Sequence, residues 1–297
     1  IVLADKDHHI IARQRVATLA TAGPDVIIEQ MVASVWQILG QVKASKDDLV
    51  RVGVCVAGYF DWQKQVLVHS PNLQGWSNVP LGALLSEKLG VPIRVENDAN
   101  AAAVGEARLG AASSSENVVY ITVSTGIGAG LVLAGQLYRG SQGLAGEIGH
   151  LVVKPGGYLC GCGRRGCLET VASGTAIARI ANEIMPEQES LTSRDVFVAA
   201  SKGHPTAQAI IDDAIFYLGL SLVNVINMLN PTVLVLGGGV AEAGEALFTP
   251  LGEIIRRYAP PPVSETVKLV KAELGAEAGV LGMLCLLTED HISAPHL

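Results

Sequence analysis

The sequence predicts an α/β protein of two domains, and three observations carry the prediction. Apolar residues make up 49% of the chain but aromatic ones only 4%, which suits Val, Leu and Ala cores between helices and sheets better than an aromatic-rich β sandwich. Strand, polar turn and helix follow one another from Ile93 to Leu109, the order of an α/β unit whose sites lie at strand C-terminal ends. The chain also repeats coarsely, strand-rich and then helix-rich, with a Gly-rich turn after a strand in each half. Its 297 residues are enough for two such domains.

Taken in order, Ile1–Ala4 and Ile10–Val16 are short apolar runs around a polar turn and read as a β-hairpin. Pro24–Lys43 carries apolar residues at helical spacing. Leu49–Ala57 reads as a buried strand and Val66–His69 as a short one. Pro80–Leu89 is a helix closed by Gly90. Ile93–Val95 is a strand running into Glu96-Asn97-Asp98, and Ala99–Leu109 an Ala-rich helix. Val118–Val123 and Leu131–Leu133 are strands joined by a Gly-rich turn over Thr125–Gly130. Helices are expected over Ala172–Glu183, Ser193–Ser201, Pro205–Leu229, Ala241–Tyr258 and Ala276–Leu287. Strands are expected over Thr232–Leu236 and Val267–Lys271. The helix from Pro205 is apolar on most faces and should be buried, with Asn224 and Asn227 satisfying backbone or core partners.

The net charge of −7 argues against this segment being a surface that grips nucleic acid. No apolar run reads as a membrane span and no signal peptide is visible. Cys55 and Cys285 lie in apolar surroundings and are expected in the core. Five cysteines, three of them in a metal pattern, fit a reducing cytoplasm better than a disulfide scaffold.

The stretch Gly146–Glu169 carries the most specific pattern. Cys160, Cys162 and Cys167 stand in Cys-x-Cys-x4-Cys spacing, with His150 ten positions before the first. Three thiolates and one imidazole are the donor set of a closed structural zinc site. The Cys-x-Cys pair is too tight for a comfortable mutual disulfide. Reduced cysteines in a Gly-rich surface loop are the alternative. Such a zinc would hold a loop rather than do chemistry.

Asp98 stands beside Asn97 where a strand ends. It suits a general base toward a substrate hydroxyl, or equally the N-cap of the next helix. The Gly-rich turn with Thr125, Gly126 and Gly128 suits a phosphate nest, or is an ordinary hairpin. Phosphoryl transfer needs a carboxylate, a phosphate cradle and a bridging metal ion; Asp98, Thr125–Gly130 and Gly237–Gly239 could supply the first two. Glu147, His150 and Glu169 add acceptors suited to a polyhydroxyl ligand such as a sugar. Otherwise Glu147 is a solvated loop carboxylate and Glu169 a charge near a helix start.

The series Glu-Asn-Asp-Ala-Asn, Ser-Thr-Gly-Ile-Gly-Ala-Gly, Gly-Glu-Ile-Gly-His, Cys-Gly-Cys-Gly-x-x-Gly-Cys-Leu-Glu and Leu-Gly-Gly-Gly-Val resembles the ROK family of repressors, unassigned reading frames and sugar kinases. The resemblance spans nearly the whole chain. It implies an actin-like ATPase (ribonuclease H-like) fold, with two α/β domains and a cleft between them. The smaller domain would span residues 1–107 and the closing helix 276–290, and the larger one, with the zinc loop, residues 108–275. It further implies sugar binding by Asn97, Asp98, Glu147, His150 and Glu169 with Gly58 and Asn72, and Asp98 as base. Thr125 to Gly128 would face the phosphates of Mg·ATP, and Gly237, Gly238 and Gly239 would lie near the adenosine. Zinc would be held by His150, Cys160, Cys162 and Cys167, with the other ring nitrogen of His150 on a sugar hydroxyl. Kinases of the family open with a strand and an Asp-x-Gly-Gly-Thr turn; Ile1 corresponds to the strand just after it, so the chain reads as cut or as a homologue lacking that turn.

The expectation is therefore an ATP-dependent kinase of an aldohexose, glucose foremost, acting at the 6-hydroxyl. The alternative is a sugar-responsive repressor whose DNA-binding part lies outside this chain. The family resemblance also suggests a homodimer or homotetramer.

Overall fold

The computed structural model describes residues 1–7, 9–70, 72–185 and 190–289. Residue 290, expected to end the smaller domain, lies outside them. The chain forms two compact units. Unit 1 comprises residues 1–105, 139–145 and 276–297, and unit 2 residues 106–138 and 146–275.

In unit 1, β1 (Val2–Ala4) and β2 (Ile10–Arg13) pair antiparallel as the expected hairpin. Helix α1 (Pro24–Gln41) begins with Pro at its first turn, where the missing N–H costs nothing. It buries Ile27, Ile28, Val32, Ile38 and Leu39 on one face. β3 (Val52–Val56) follows, only Val56 being fully buried, so the expectation of a wholly buried strand was too strong. Next come β4 (Tyr59–Asp61), β5 (Val66–His69) and β6 (Ser77–Val79), an antiparallel meander. β4 and β6 are three residues each, too short for any hydrophobic period to announce them. Helix α2 (Leu81–Leu89) ends at Gly90 in the left-handed conformation. β7 (Ile93–Asn97) lies parallel to β3, with Val56 opposite Asn97. It runs two residues beyond the predicted strand, and α3 (Asp98–Arg108) starts at once.

Unit 2 is built on a five-stranded sheet. β8 (Val118–Val123) and β9 (Ile127–Leu133) form a hairpin, and β10 (Gln136–Tyr138) adds to its edge. The Gly-rich turn proves shorter than Thr125–Gly130. Val123 pairs with Ile127, so only Ser124–Gly126 turn, and Gly128 sits in the ladder opposite Thr122. Glycines in a strand were read as turn because they carry no alternation signal.

The short α4 (Glu169–Ala172) was not expected; the helix expected over Ala172–Glu183, with Ser173 or Gly174 near its start, is α5 (Gly174–Ile184). Ser173 breaks them and caps α5 through Ala176 N. α6 (Ser193–Ser201) opens with a reciprocal Thr192–Asp195 capping box. α7 (Pro205–Leu229) is by length and composition apolar enough to cross a membrane, which corrects the sequence expectation. Most of its apolar window is nevertheless packed inside the protein. Asn224 and Asn227 lie on its exposed face rather than against core partners.

β11 (Val233–Gly237) is buried at every residue and lies between β8 and β12, parallel to both. Gly244, at φ 59°, separates a 3-10 turn over Gly239–Ala243 from α8 (Glu245–Tyr258). The short α9 (Pro261–Ser264) and β12 (Lys268–Lys271) close unit 2. α10 (Ala278–Glu289) returns to unit 1, where side chains of Met283 and Leu287 cover Gly53 of β3.

Candidate active site and metal centre

Unit 1 gathers polar groups at the C-terminal ends of β3 and β7. The Asn97 side chain accepts from Ala99 N at 2.9 Å and Asn100 N at 3.1 Å, and its amide donates to Gly58 O at 3.3 Å. Asn97 therefore performs the capping that Asp98 was a candidate for. Gly58, at φ 132°, leaves no space for a side chain: a Cβ would stand 2.3 Å from His69 O. Asn72 is exposed in the turn after β5.

Asp98 opens α3 with its carboxylate reachable by solvent. The protein crowded around it pushes the carboxyl above the ordinary aspartate range, opposed by the hydrogen bond from Ala99 N. Cys55, half-buried on β3, is pushed up to about 11 by desolvation, with a smaller contribution from the charge of Asp98.

Two residues missed by sequence reasoning support this turn. Glu96 is 2% exposed. One of its oxygens accepts from Asn97 N at 3.1 Å and Asn100 Nδ2 at 3.0 Å. The other accepts from Arg139 Nε at 2.8 Å and faces Arg139 Nη2 at 2.7 Å. Arg139 begins the segment 139–145 that joins unit 1. Its partner is 43 positions away, so nothing local could have pointed to it.

In unit 2, Gly146–His150 runs against β9; a Cβ on Gly149 would stand 2.2 Å from Ile127 O. His150 Nδ1 lies 3.5 Å from Cys160 Sγ, and Cys162 Sγ 3.6 Å from Cys167 Sγ. The four donor atoms all fall within 4.8 Å of one another. Sulfurs on a tetrahedral zinc with ligand distances of about 2.3 Å stand roughly 3.8 Å apart, so the spacing fits that ion. Burial and the neighbouring Cys162 and Cys160 thiols push Cys167 up to about 12. Three sulfurs packed this closely become thiolates together only with a cation among them. The donor set is closed at four, so the ion would brace the loop. The second ring nitrogen of His150, Nε2, points away from the thiols and lies 3.7 Å from Glu147 Oε2.

Glu169 Oε2 accepts from Ile127 N at 2.9 Å, and its Oε1 lies 4.0 Å from Cys160 Sγ. Sequence reasoning placed Glu169 near the cysteine loop but not on the hairpin turn. That turn is gripped from its other side by the start of α5: Gly174 N donates to Ser124 O at 2.7 Å, and Thr175 Oγ1 donates to Thr125 O. Gly238, at φ 86°, packs on the end of β8, where a Cβ would stand 2.4 Å from Val123 O. The turns Ser124–Gly126 and Gly237–Gly239 are thereby neighbours.

The chain is similar to known proteins over nearly its whole length. The model of the ROK family matches residues 1–290. A glucokinase of Halalkalibacterium halodurans is 41% identical over 251 residues, covering 80% of this chain and 76% of that protein. A xylose repressor of Bacillus spizizenii is 29% identical and covers 98% of this chain but 72% of its own length. The crystal structure of a ROK glucokinase from Streptomyces griseus, in complex with glucose and AMPPNP, superposes with a TM-score of 0.78 at 31% identity. It covers 96% of this chain and 94% of that one. The fold is that of the actin-like ATPases, and the chain belongs to the ROK family.

Proposed function

We propose that this protein is a hexokinase-type kinase that transfers the γ-phosphoryl group of ATP to an aldohexose, glucose, at the 6-hydroxyl. The observation that carries the reading is the state of Asp98. Asn97 has taken over the helix cap, so the Asp98 carboxylate stays open to solvent at a strand end, with its pKa moved up toward a useful base. In this reading Asp98 takes the proton of the sugar hydroxyl as its oxygen attacks the γ-phosphorus, and ADP departs. Asn97, Gly58 and Asn72, with Glu147, His150 and Glu169, hold the sugar hydroxyls. Thr125, Gly126 and Gly128 face the phosphates, and Gly237, Gly238 and Gly239 the adenosine. Magnesium accompanies ATP as part of the substrate. His150, Cys160, Cys162 and Cys167 hold a structural zinc that fixes the loop presenting Glu147 and the second ring nitrogen of His150.

The similarity to glucokinases and to the glucose and AMPPNP complex supports this assignment. The reduced cysteines suit a cytoplasmic setting, and family resemblance supports a homodimer or homotetramer. The test is ADP release from ATP over a panel of hexoses with the full-length protein. Release with glucose is expected; no release with any hexose would overturn the proposal.

A second reading is a sugar-responsive repressor body, favoured by the match to the xylose repressor. It predicts sugar binding with no ADP release.

A further inference from the structure

The stretch Glu169–Thr175 begins two residues after the metal-cluster Cys167 and holds the β8–β9 turn at three points. Glu169 takes Ile127 N, Gly174 N takes Ser124 O, and Thr175 takes Thr125 O. The fit at the first point is tight. A Cβ on Gly126 would stand 2.4 Å from Glu169 Oε2 and 3.3 Å from its Cδ. Gly126 lies outside the left-handed region of backbone conformation. The glycine is therefore needed for space and not for its dihedrals.

We propose that Glu169 is a positioning residue for the nucleotide-facing turn as well as a sugar ligand, so that one carboxylate sets both binding sites. This rests on the kinase reading above. One oxygen, Oε2, is committed to the turn, which leaves Oε1, on the cysteine-loop side, as the oxygen for a sugar hydroxyl. A backbone N–H donated to a carboxylate is a charge-assisted bond in fixed geometry. Any movement of the turn is passed to the carboxylate, and any displacement of the carboxylate to the turn. The Thr175 side chain bonds the turn at Thr125 O and its neighbour Ser173 at 3.1 Å. Among the described residues it makes no hydrogen bond to Glu169 or the cysteine loop, and it lacks this double role.

The experiment measures glucose affinity without nucleotide, together with KM for ATP, in Gly126→Ala, Glu169→Ala, Glu169→Gln and Thr175→Val. Gly126→Ala is expected to weaken glucose binding about tenfold with no nucleotide present, because the new methyl displaces Oε2; a tenfold change is about 1.4 kcal/mol. Glu169→Ala should weaken glucose binding and raise KM for ATP together. Glu169→Gln retains an oxygen for Ile127 N, so it should weaken glucose binding and leave KM for ATP near wild type. Thr175→Val should raise KM for ATP alone. Thermal midpoint and zinc content are followed in each, and Glu169→Ala carries the test if Gly126→Ala does not fold. A wild-type chain that binds glucose beside a folded Gly126→Ala with unchanged glucose affinity overturns this inference alone. So does a Glu169→Ala variant with unchanged KM for ATP. A wild-type chain that binds no hexose overturns the kinase reading and this inference with it.

Discussion

Arg139 closes over Glu96 with two nitrogens on a single carboxylate oxygen, at 2.8 and 2.7 Å, while the other oxygen of Glu96 holds the Asn97–Asn100 turn. Both side chains are largely withdrawn from water, at 18% and 3% exposure. Removing one partner of a buried pair leaves the other charge uncompensated, which costs about 3–5 kcal/mol. Arg139→Gln should lose stability on that scale in urea unfolding. In the double variant Glu96→Gln, Arg139→Gln, an amide oxygen still accepts from Asn97 N and the two amides can pair. Most of the stability should return. A double variant no more stable than Arg139→Gln would show that the ion pair itself, and not its hydrogen-bond pattern, is what the turn requires.

Asp98→Asn should lower kcat by about 10²–10⁴, the range of a general base, while glucose binding persists. Its stability should move the opposite way. The folded carboxyl has a raised pKa, so between the ordinary value of 3.8 and the raised one the folded state binds more protons than the unfolded state, and stability falls as pH rises. The neutral amide escapes that loss. At pH 7 Asp98→Asn should melt above wild type, and below the ordinary aspartate pKa the difference should vanish. The acid limb of kcat/KM should likewise lie above 3.8.

Cys162→Ser should reduce bound zinc from about one per chain to near none, read by metal analysis. The outer part of the loop has a separate anchor: the Arg179 guanidinium lies 3.6 Å over the Tyr158 ring, and Tyr158 donates to Glu183 at 2.8 Å. Amide hydrogen exchange should therefore quicken at Cys160, Gly163 and Gly166, which donate within the loop, and stay slow at Gly157, which donates to Lys154 O beside the Tyr158 anchor. Uniform loosening of the whole loop would count against that anchor.

Helices α3 and α10 meet backbone to backbone. A Cβ on Gly282 would stand 1.7 Å from Ala101 O, and one on Gly105 2.4 Å from Ala278 O. Gly282→Ala should force the helices apart and cost about 1–3 kcal/mol, measured as a lower urea midpoint with unchanged slope. An alanine variant as stable as wild type would mean that α10 can shift freely on its neighbour.

Elements with a long period were legible. The helices beginning at Pro24, Ser193 and Pro205 start where their Pro and Thr192 caps place them. β8 and β11 follow their continuous apolar runs. The strands β4, β6 and β10, at three residues each, carry no period to detect. The hairpin turn was drawn too long because Gly128 and Gly130 look like turn residues until the ladder opposite them is known.

The sequence by itself determined the chemistry available: a Cys3His donor set in metal spacing, an Asn97-Asp98 pair at a strand end, and the order of helices and strands. These are local properties, set by residue type and by neighbours a few positions away. Only the tertiary structure decided which of the pair caps the helix, that Arg139 neutralises Glu96, and that Glu169 reaches Ile127 across 42 positions. Those partners are distant in the chain. They come together through the burial of strand faces and close backbone approach at glycines, and no local pattern records which side chains then meet.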